Sequence, residues 1–185
     1  MTTHSEAKAS PPSLGQAVSR DLHHDIERHY YREARLLQNG EYREWLSACV
    51  ASDIHYWMPV YEQRLRRDKR PEPTPDDAAI YNDDYEYLKL RVERLYTGQV
   101  WMEDPPSRIR YVITNVEAYH ADVADEFDVY SNFVVYRHRR QNERAVHTGG
   151  REDRLRRDGD GFLVARRKIV LDARVVDDKN LYFFV

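Results

Sequence analysis

Apolar and polar residues alternate in two different ways along this chain, and the change comes about halfway. From Leu14 to Gln38 the apolar positions Leu22, Ile26, Tyr30 and Leu37 recur at helical spacing. Asn39-Gly40 ends that helix with a residue suited to the left-handed conformation. A second helix is predicted over about Glu41–Val50, with Tyr42, Trp45, Leu46 and Cys49 on one side. Ser52-Asp53 breaks it, and Ile54–Tyr61 reads as a strand in which Pro59 marks an edge or a bulge. Residues 62–78 are charged and contain Pro71, Pro73 and Pro75, the composition of a long exposed loop. Asp83 or Asp84 then caps a third helix to about Tyr96, with Tyr85, Leu88, Val92 and Leu95 inward.

After an irregular stretch from Trp101 to Arg108, the period drops to two. Strands are predicted at Arg110–His120, Glu126–Arg139, Arg144–Arg157 and Phe162–Ala173. In the second, Phe127, Val129, Phe133 and Val135 share a face. The third is expected to kink or bulge at Gly149-Gly150. The fourth would turn Leu163, Ala165, Ile169 and Leu171 inward. Asp158-Gly159-Asp160-Gly161 joins the last two as a tight hairpin, because Asp-Gly accepts positive φ. Helices followed by an antiparallel meander predict an α+β fold with the helices on one face of a curved sheet. Residues 1–13 are expected to be a disordered tail, and residues 14–185 one domain.

Charge refines this picture. Charged residues make up 33% of 185 residues with a formal net charge of -3, which argues against a general nucleic-acid binder. Lys and Arg total 29, of which only five are lysine (Lys8, Lys69, Lys89, Lys168, Lys179), leaving 24 arginines. Many stud the last hairpin. Arginine is a planar, permanently charged fork that pairs with carboxylates, so the hairpin reads as a surface that holds another protein. Cys49 is the single cysteine, expected buried and inert, which excludes an internal disulfide and any cysteine-based metal centre. No apolar run suits a signal peptide or a bilayer span, so a cytoplasmic location is expected.

Three groups could carry chemistry. His23, His24 and His29, with Asp25 and Glu27 between them, lie at spacings a helix could bring together around a metal, though no His-Glu-x-x-His is present. Asp53 and His55 would share one face of a strand, where an acid can orient an imidazole for base catalysis. Fourteen tyrosines and Trp45, Trp57 and Trp101 supply the aromatic anchors common at interfaces. Phosphate loops, dinucleotide fingerprints and Gly-x-Ser-x-Gly elbows are absent.

Several blocks resemble the small (β) subunits of aromatic-ring-hydroxylating (Rieske non-haem iron) dioxygenases. Glu33-Ala-Arg-Leu-Leu-Gln-Asn-Gly-Glu-Tyr-Arg-Glu-Trp-Leu, with Asp53 and Tyr56 up to Pro59, is similar to their N-terminal signature. Trp101-Met-Glu-Asp-Pro-Pro-Ser-Arg-Ile-Arg-Tyr and Asn115-Val116 resemble the middle block. Gly150-Arg-Glu-Asp-Arg-Leu-Arg-Arg, Ala165-Arg-Arg-Lys-Ile-Val-Leu-Asp and Asn180-Leu181 resemble the end. Order and spacing together, over about residues 14–185, look most like the biphenyl, benzene and cumene branch.

The resemblance implies the cone-like, cystatin-like fold of nuclear transport factor 2 and ketosteroid isomerase. It implies a large α subunit carrying a Rieske [2Fe–2S] centre and a mononuclear Fe(II), assembled as α3β3 with the β subunits as a trimer. It further implies a holoenzyme that converts an aromatic ring, O2 and NADH-derived electrons, delivered through a reductase and a ferredoxin, to a cis-dihydrodiol. The β subunit of this branch is structural, so no catalytic, cofactor or metal residue is carried over to this chain. Tyr81, Tyr85, Trp101, Arg108, Arg110, Arg154 and Arg156 are the residues expected at subunit contacts. Two rival readings are a stand-alone isomerase or dehydratase of the same fold using Asp53 and His55, and a binding module with no oxygenase partner.

Overall fold

Ser19 sets the start of the first helix, because its side chain accepts a hydrogen bond from the Leu22 N–H and satisfies one donor of the open first turn. The computed structural model describes residues 14–62, 64–65, 67–100, 104–141, 143–173 and 184–185. The expected tail (1–13), Trp101 and Asn180-Leu181 lie outside these residues. Helix α1 spans Arg20–Asn39, α2 Tyr42–Cys49 and α3 Tyr85–Tyr96; strands β1 to β6 span Val50–Pro59, Ala79–Asp83, Arg108–His120, Glu126–Arg139, Glu143–Asp158 and Gly161–Leu171. The strands form one sheet in the order β2-β1-β6-β5-β4-β3. Three helices on one face of a curved, unclosed sheet bear out the α+β expectation, with one difference: β1 and β6 run parallel.

Four local expectations change. First, α1 begins six residues later than the apolar pattern suggested. The segment before Ser19 instead lies along the edge of β3, where His120 N–H donates to Gln16 O at 2.8 Å and Val18 N–H to Ala118 O at 3.1 Å. Second, Ser52-Asp53 does not end an element. Strand β1 starts at Val50, and these two exposed residues lie where its register against β6 slips between Val50 and His55. Third, Ala79–Asp83 is a strand, too short and irregular to show by alternation, paired with the end of β1.

The fourth change concerns the last hairpin. No register shift occurs at Gly149-Gly150; the irregularity sits at Arg154/Leu155, where Arg154 faces Arg166 and Leu155 faces Val164. Ala165 is therefore the extra residue of a bulge in β6. It shifts the inward phase by one, so Phe162 and Val164 are buried in place of Leu163 and Ala165, followed by Arg167, Ile169 and Leu171. The hairpin turn is the two-residue Gly159-Asp160, with Gly159 at φ 54°.

The core lies between the helices and the sheet. Ile26, Tyr30, Leu36 and Leu37 of α1 and Trp45, Leu46 and Cys49 of α2 pack against Ile54, Tyr56 and Met58 of β1 and Phe127, Val129, Phe133 and Val135 of β4. Leu88 and Val92 bury the inner side of α3, while Tyr85 and Leu95 pack at its margin. Gly149 allows the sheet to close over Phe133. A Cβ there would stand 2.2 Å from the Val170 carbonyl oxygen and 2.8 Å from Phe133 Cζ.

Because that carbonyl is held in the β5–β6 ladder, Gly149→Ala is expected to cost about 1–3 kcal/mol through overpacking. Gly150→Ala, whose Cβ would meet only atoms at 3.8 Å, is expected to stay within about 0.5 kcal/mol. Urea unfolding midpoints of the two variants check this; equal midpoints would contradict it.

Candidate functional site

The interior of the cone is where this fold could hold a reacting molecule, and polar residues occupy it. The buried stripe of α1 that carries Ile26 and Tyr30 also carries His29 and Glu33. Alternation along β5 turns Arg151 and Asp153 inward on the side of Leu155. The β6 bulge puts Arg167 on the same side. Glu33 and Arg167 are each 1% exposed.

Arg167 donates every N–H it has. Nε and Nη2 bond the two Asp153 carboxylate oxygens at 2.9 and 2.8 Å; Nη1 and Nη2 bond the two Glu33 oxygens at 2.7 and 3.0 Å; Nη1 also reaches the Val185 carbonyl at 3.0 Å. Glu33 accepts further from Trp45 Nε1 at 3.1 Å and Arg151 Nη1 at 3.3 Å. The Tyr30 hydroxyl donates to Asp153 at 2.9 Å. Two carboxylates and two guanidiniums balance, so the buried cluster is neutral.

This balance sets the protonation. Burial alone would raise the Glu33 carboxyl, but Arg167 and then Arg151 beside it hold it far below the usual carboxylate range. Burial, with help from Asp153, raises the Tyr30 hydroxyl well above 10. His29 sits beside the cluster with its Nε2 buried and unpartnered. Burial lowers it to about 4, against the pull of Glu33. Phe184 and Val185 are buried in the same interior: the Phe184 ring stacks on Trp45 at 4.7 Å between centroids, the Tyr56 hydroxyl donates to Val185 O (2.8 Å) and the Tyr111 hydroxyl to Phe184 O (2.7 Å). A depression of about 510 Å³ beside α1 is lined by His29 and Phe162, but not by Glu33, Asp153 or Arg167.

The predicted chemical groups do not assemble. Asp53 and His55 do share β1, but Asp53 forms a two-pronged pair with Arg156 at 3.0 Å and His55 Nε2 bonds Asn82 Oδ1 at 2.8 Å. Neither orients the other. In the histidine group, His23 contacts the Val116 carbonyl and Glu27, His24 is exposed, and His29 is buried away from both. Among the described residues no three His, Cys, Asp or Glu side chains come together as a metal ion would need. Cys49 is buried, and burial pushes its thiol up to about 12.

The predicted contact residues separate too. Arg154 is held by Asp122, Glu126 and Asp128, and Arg156 by Asp53 and Glu126. Tyr81 is 4% exposed, edge-on to Tyr56 and under the Arg91 guanidinium. Tyr85 is half-buried, and Arg108 and Arg110 are exposed. The arginine-rich hairpin therefore sends two forks, Arg151 and Arg167, into the core and pairs two others on its own surface. Reasoning from the sequence missed the Glu33–Arg167–Asp153 cluster because Arg166-Arg167-Lys168 looks like a solvated run. The available signal was the spacing of Arg167 two and four residues before Ile169 and Leu171.

The family described as the ring hydroxylating beta subunit matches residues 32–178, and the chain belongs to it. It is 38% identical over 170 residues to the benzene 1,2-dioxygenase subunit beta of Pseudomonas putida, covering 90% of each chain. A chain of naphthalene 1,2-dioxygenase, solved with indole in the active site, superposes with a TM-score of 0.84 at 28% identity, over 93% of this chain and 90% of that one. A proposed scytalone dehydratase from Novosphingobium aromaticivorans shares the fold alone, with a TM-score of 0.57 at 11% identity, over 81% of this chain and 83% of that one. A Rieske centre needs two cysteines and two histidines. With one cysteine in the whole sequence, this chain does not fit that group.

Two outcomes test the interior. Arg167→Met leaves Glu33 and Asp153 buried without their main counter-charge, and is expected to destabilise the fold by roughly 3–5 kcal/mol; retention of the wild-type melting temperature would disprove this account. The second concerns pH. The unfolded His29 takes up a proton near 6.5, the folded one only near 4. Its contribution to stability is therefore complete above pH 6.5 and is lost as the pH falls from 6.5 to 4, at up to ~1.4 kcal/mol per pH unit. Glu33 adds to the loss below its ordinary range. Denaturation at stepped pH should show a shallower decline for His29→Phe than for wild type.

Proposed function

We propose that the chain is the non-catalytic, assembling β subunit of a multicomponent dioxygenase of the benzene and biphenyl type. In this reading a large α subunit holds the Rieske [2Fe–2S] centre and the mononuclear Fe(II), and three α and three β chains associate around a β trimer. NADH-derived electrons arrive through a reductase and a ferredoxin, which meet this chain only indirectly. The assembly adds both atoms of O2 to an aromatic hydrocarbon in the cytoplasm, giving a cis-dihydrodiol. One observation carries the non-catalytic part: the interior that would hold a substrate is filled by a neutral cluster in which Arg167 and Glu33 have no free donor or acceptor position. Of the described residues expected at contacts, Arg108 and Arg110 are exposed and Tyr85 is half-buried.

The purified chain without its large subunit is expected to be colourless, to bind no stoichiometric iron and to self-associate as a trimer. Metal analysis, a visible spectrum and sedimentation of one sample check this. Iron bound in proportion to protein, or hydroxylating turnover by the chain alone, would refute the reading.

A further inference from the structure

The outer face of the sheet, opposite the helices, has two unequal ends. At one end the charges are closed among themselves: Arg154 with Asp128 at 2.8 Å, Arg156 with Glu126 at 2.9 Å, and Lys168 with Glu152 at 3.1 Å. At the other end the register aligns rows across β3, β4 and β5. Arg108 faces His138, which faces Arg144; Arg110 faces Tyr136, which faces Val146; Val112 faces Val134, which faces Thr148. Arg140 follows at the tip of the β4–β5 turn.

None of these outward positions is acidic. Arg108 and Arg144 have no ion-pair partner among the described residues. Among the described residues Arg110 reaches only the Gln38 amide oxygen at 3.3 Å, and Arg140 only the Asp104 carbonyl at 3.5 Å. Beside this basic row stand exposed aliphatic and aromatic side chains: Val112 is 52% exposed, Val146 59% and Tyr136 41%. The exposed guanidiniums of Arg108 and Arg144 stand with no acid in their row, and an acidic partner surface would supply the missing counter-charge.

We propose that this basic and aliphatic patch, centred on Arg108, Arg144, Val112 and Val146, is the docking surface for an acidic, apolar-bearing face of the large subunit. The proposal rests on the assembly reading above. In a three-fold ring of copies the row would meet a different face of its neighbour, and the acids of the outer sheet face, Glu126, Asp128 and Glu152, are already paired within their own chain, so charge complementarity favours the large subunit over a second copy. A groove of about 700 Å³, lined among others by Thr114, Asn132, Thr148, Glu152, Lys168 and Asp172, adjoins the patch through Val134 and Thr148; its own acids make it a seat for an uncharged partner element, with the acidic contact confined to the basic row.

The test co-expresses the large subunit with wild type, with Arg108→Glu/Arg144→Glu and with Arg108→Gln/Arg144→Gln, and measures binding at low and high salt. The charge-reversed pair is expected to weaken association by roughly tenfold or more, and the neutral pair by less. Wild-type binding should weaken as salt rises. Melting temperatures of the isolated variants, measured alongside, are expected to match wild type, because both side chains are exposed and without ion-pair partners among the described residues, so lost binding does not come from lost folding. If the reversed pair does not fold, the neutral pair decides. Binding of both variants within twofold of wild type would overturn the patch while leaving the assembly reading intact. Loss of self-association with unchanged large-subunit binding would assign the patch to a second copy and overturn the proposal. If wild type itself fails to bind any large subunit, the assembly reading fails, and this assignment fails with it.

Discussion

One guanidinium holds the interior together. Arg167 is fully buried, and the cost of taking its charge out of water is offset only because two carboxylates and a backbone carbonyl meet every donor it has. Those partners come from distant parts of the sequence: Glu33 from the first helix, Asp153 from the fifth strand, Val185 from the last described residues. The cluster therefore constrains geometry as well as charge. If α1 shifted along the sheet by one turn, the two Glu33 oxygens would leave the fork and a buried charge would stand alone. The arrangement fixes how the helices sit on the sheet, a task that apolar packing does less specifically.

That constraint explains how a fold able to form a pocket can serve a structural role. Fold alone does not imply function, as the weak likeness to a proposed scytalone dehydratase illustrates. The difference lies in what occupies the cone. Here Tyr30, Trp45 and Tyr56 point polar atoms inward, and each of those atoms is engaged by protein. A carboxylate that must act as a base needs a free lone pair near a reacting proton. Glu33 has none.

Much of the fold was legible because period and burial agree. Ile26, Tyr30 and Leu37 recur as a helix requires, and Phe127, Val129, Phe133 and Val135 alternate without interruption in a regular ladder. Asp84 was readable as a cap by its residue type and place. Other features were hidden for identifiable reasons. Ala165 carries no mark of the bulge that inverts the phase of β6, since an alanine suits either face. Ala79–Asp83 forms only because β1 lies beside it, a long-range pairing that no local pattern encodes. Arg151 and Arg167 have the residue type of a surface and the position of a core, and position prevailed because acids of opposite charge were brought to meet them. The blocks around Glu33 and Arg154 pointed to the family without revealing that Glu33 itself faces inward.

Cys49 bears on how the subunit ages. A dioxygenase assembly handles O2, and partly reduced oxygen attacks sulfur through its thiolate. With its acidity suppressed to about 12 and its side chain sealed under α2, Cys49 offers almost no thiolate near neutral pH. The chain's single thiol is thus chemically silent toward peroxide, and oxidative wear has to begin somewhere other than this cysteine.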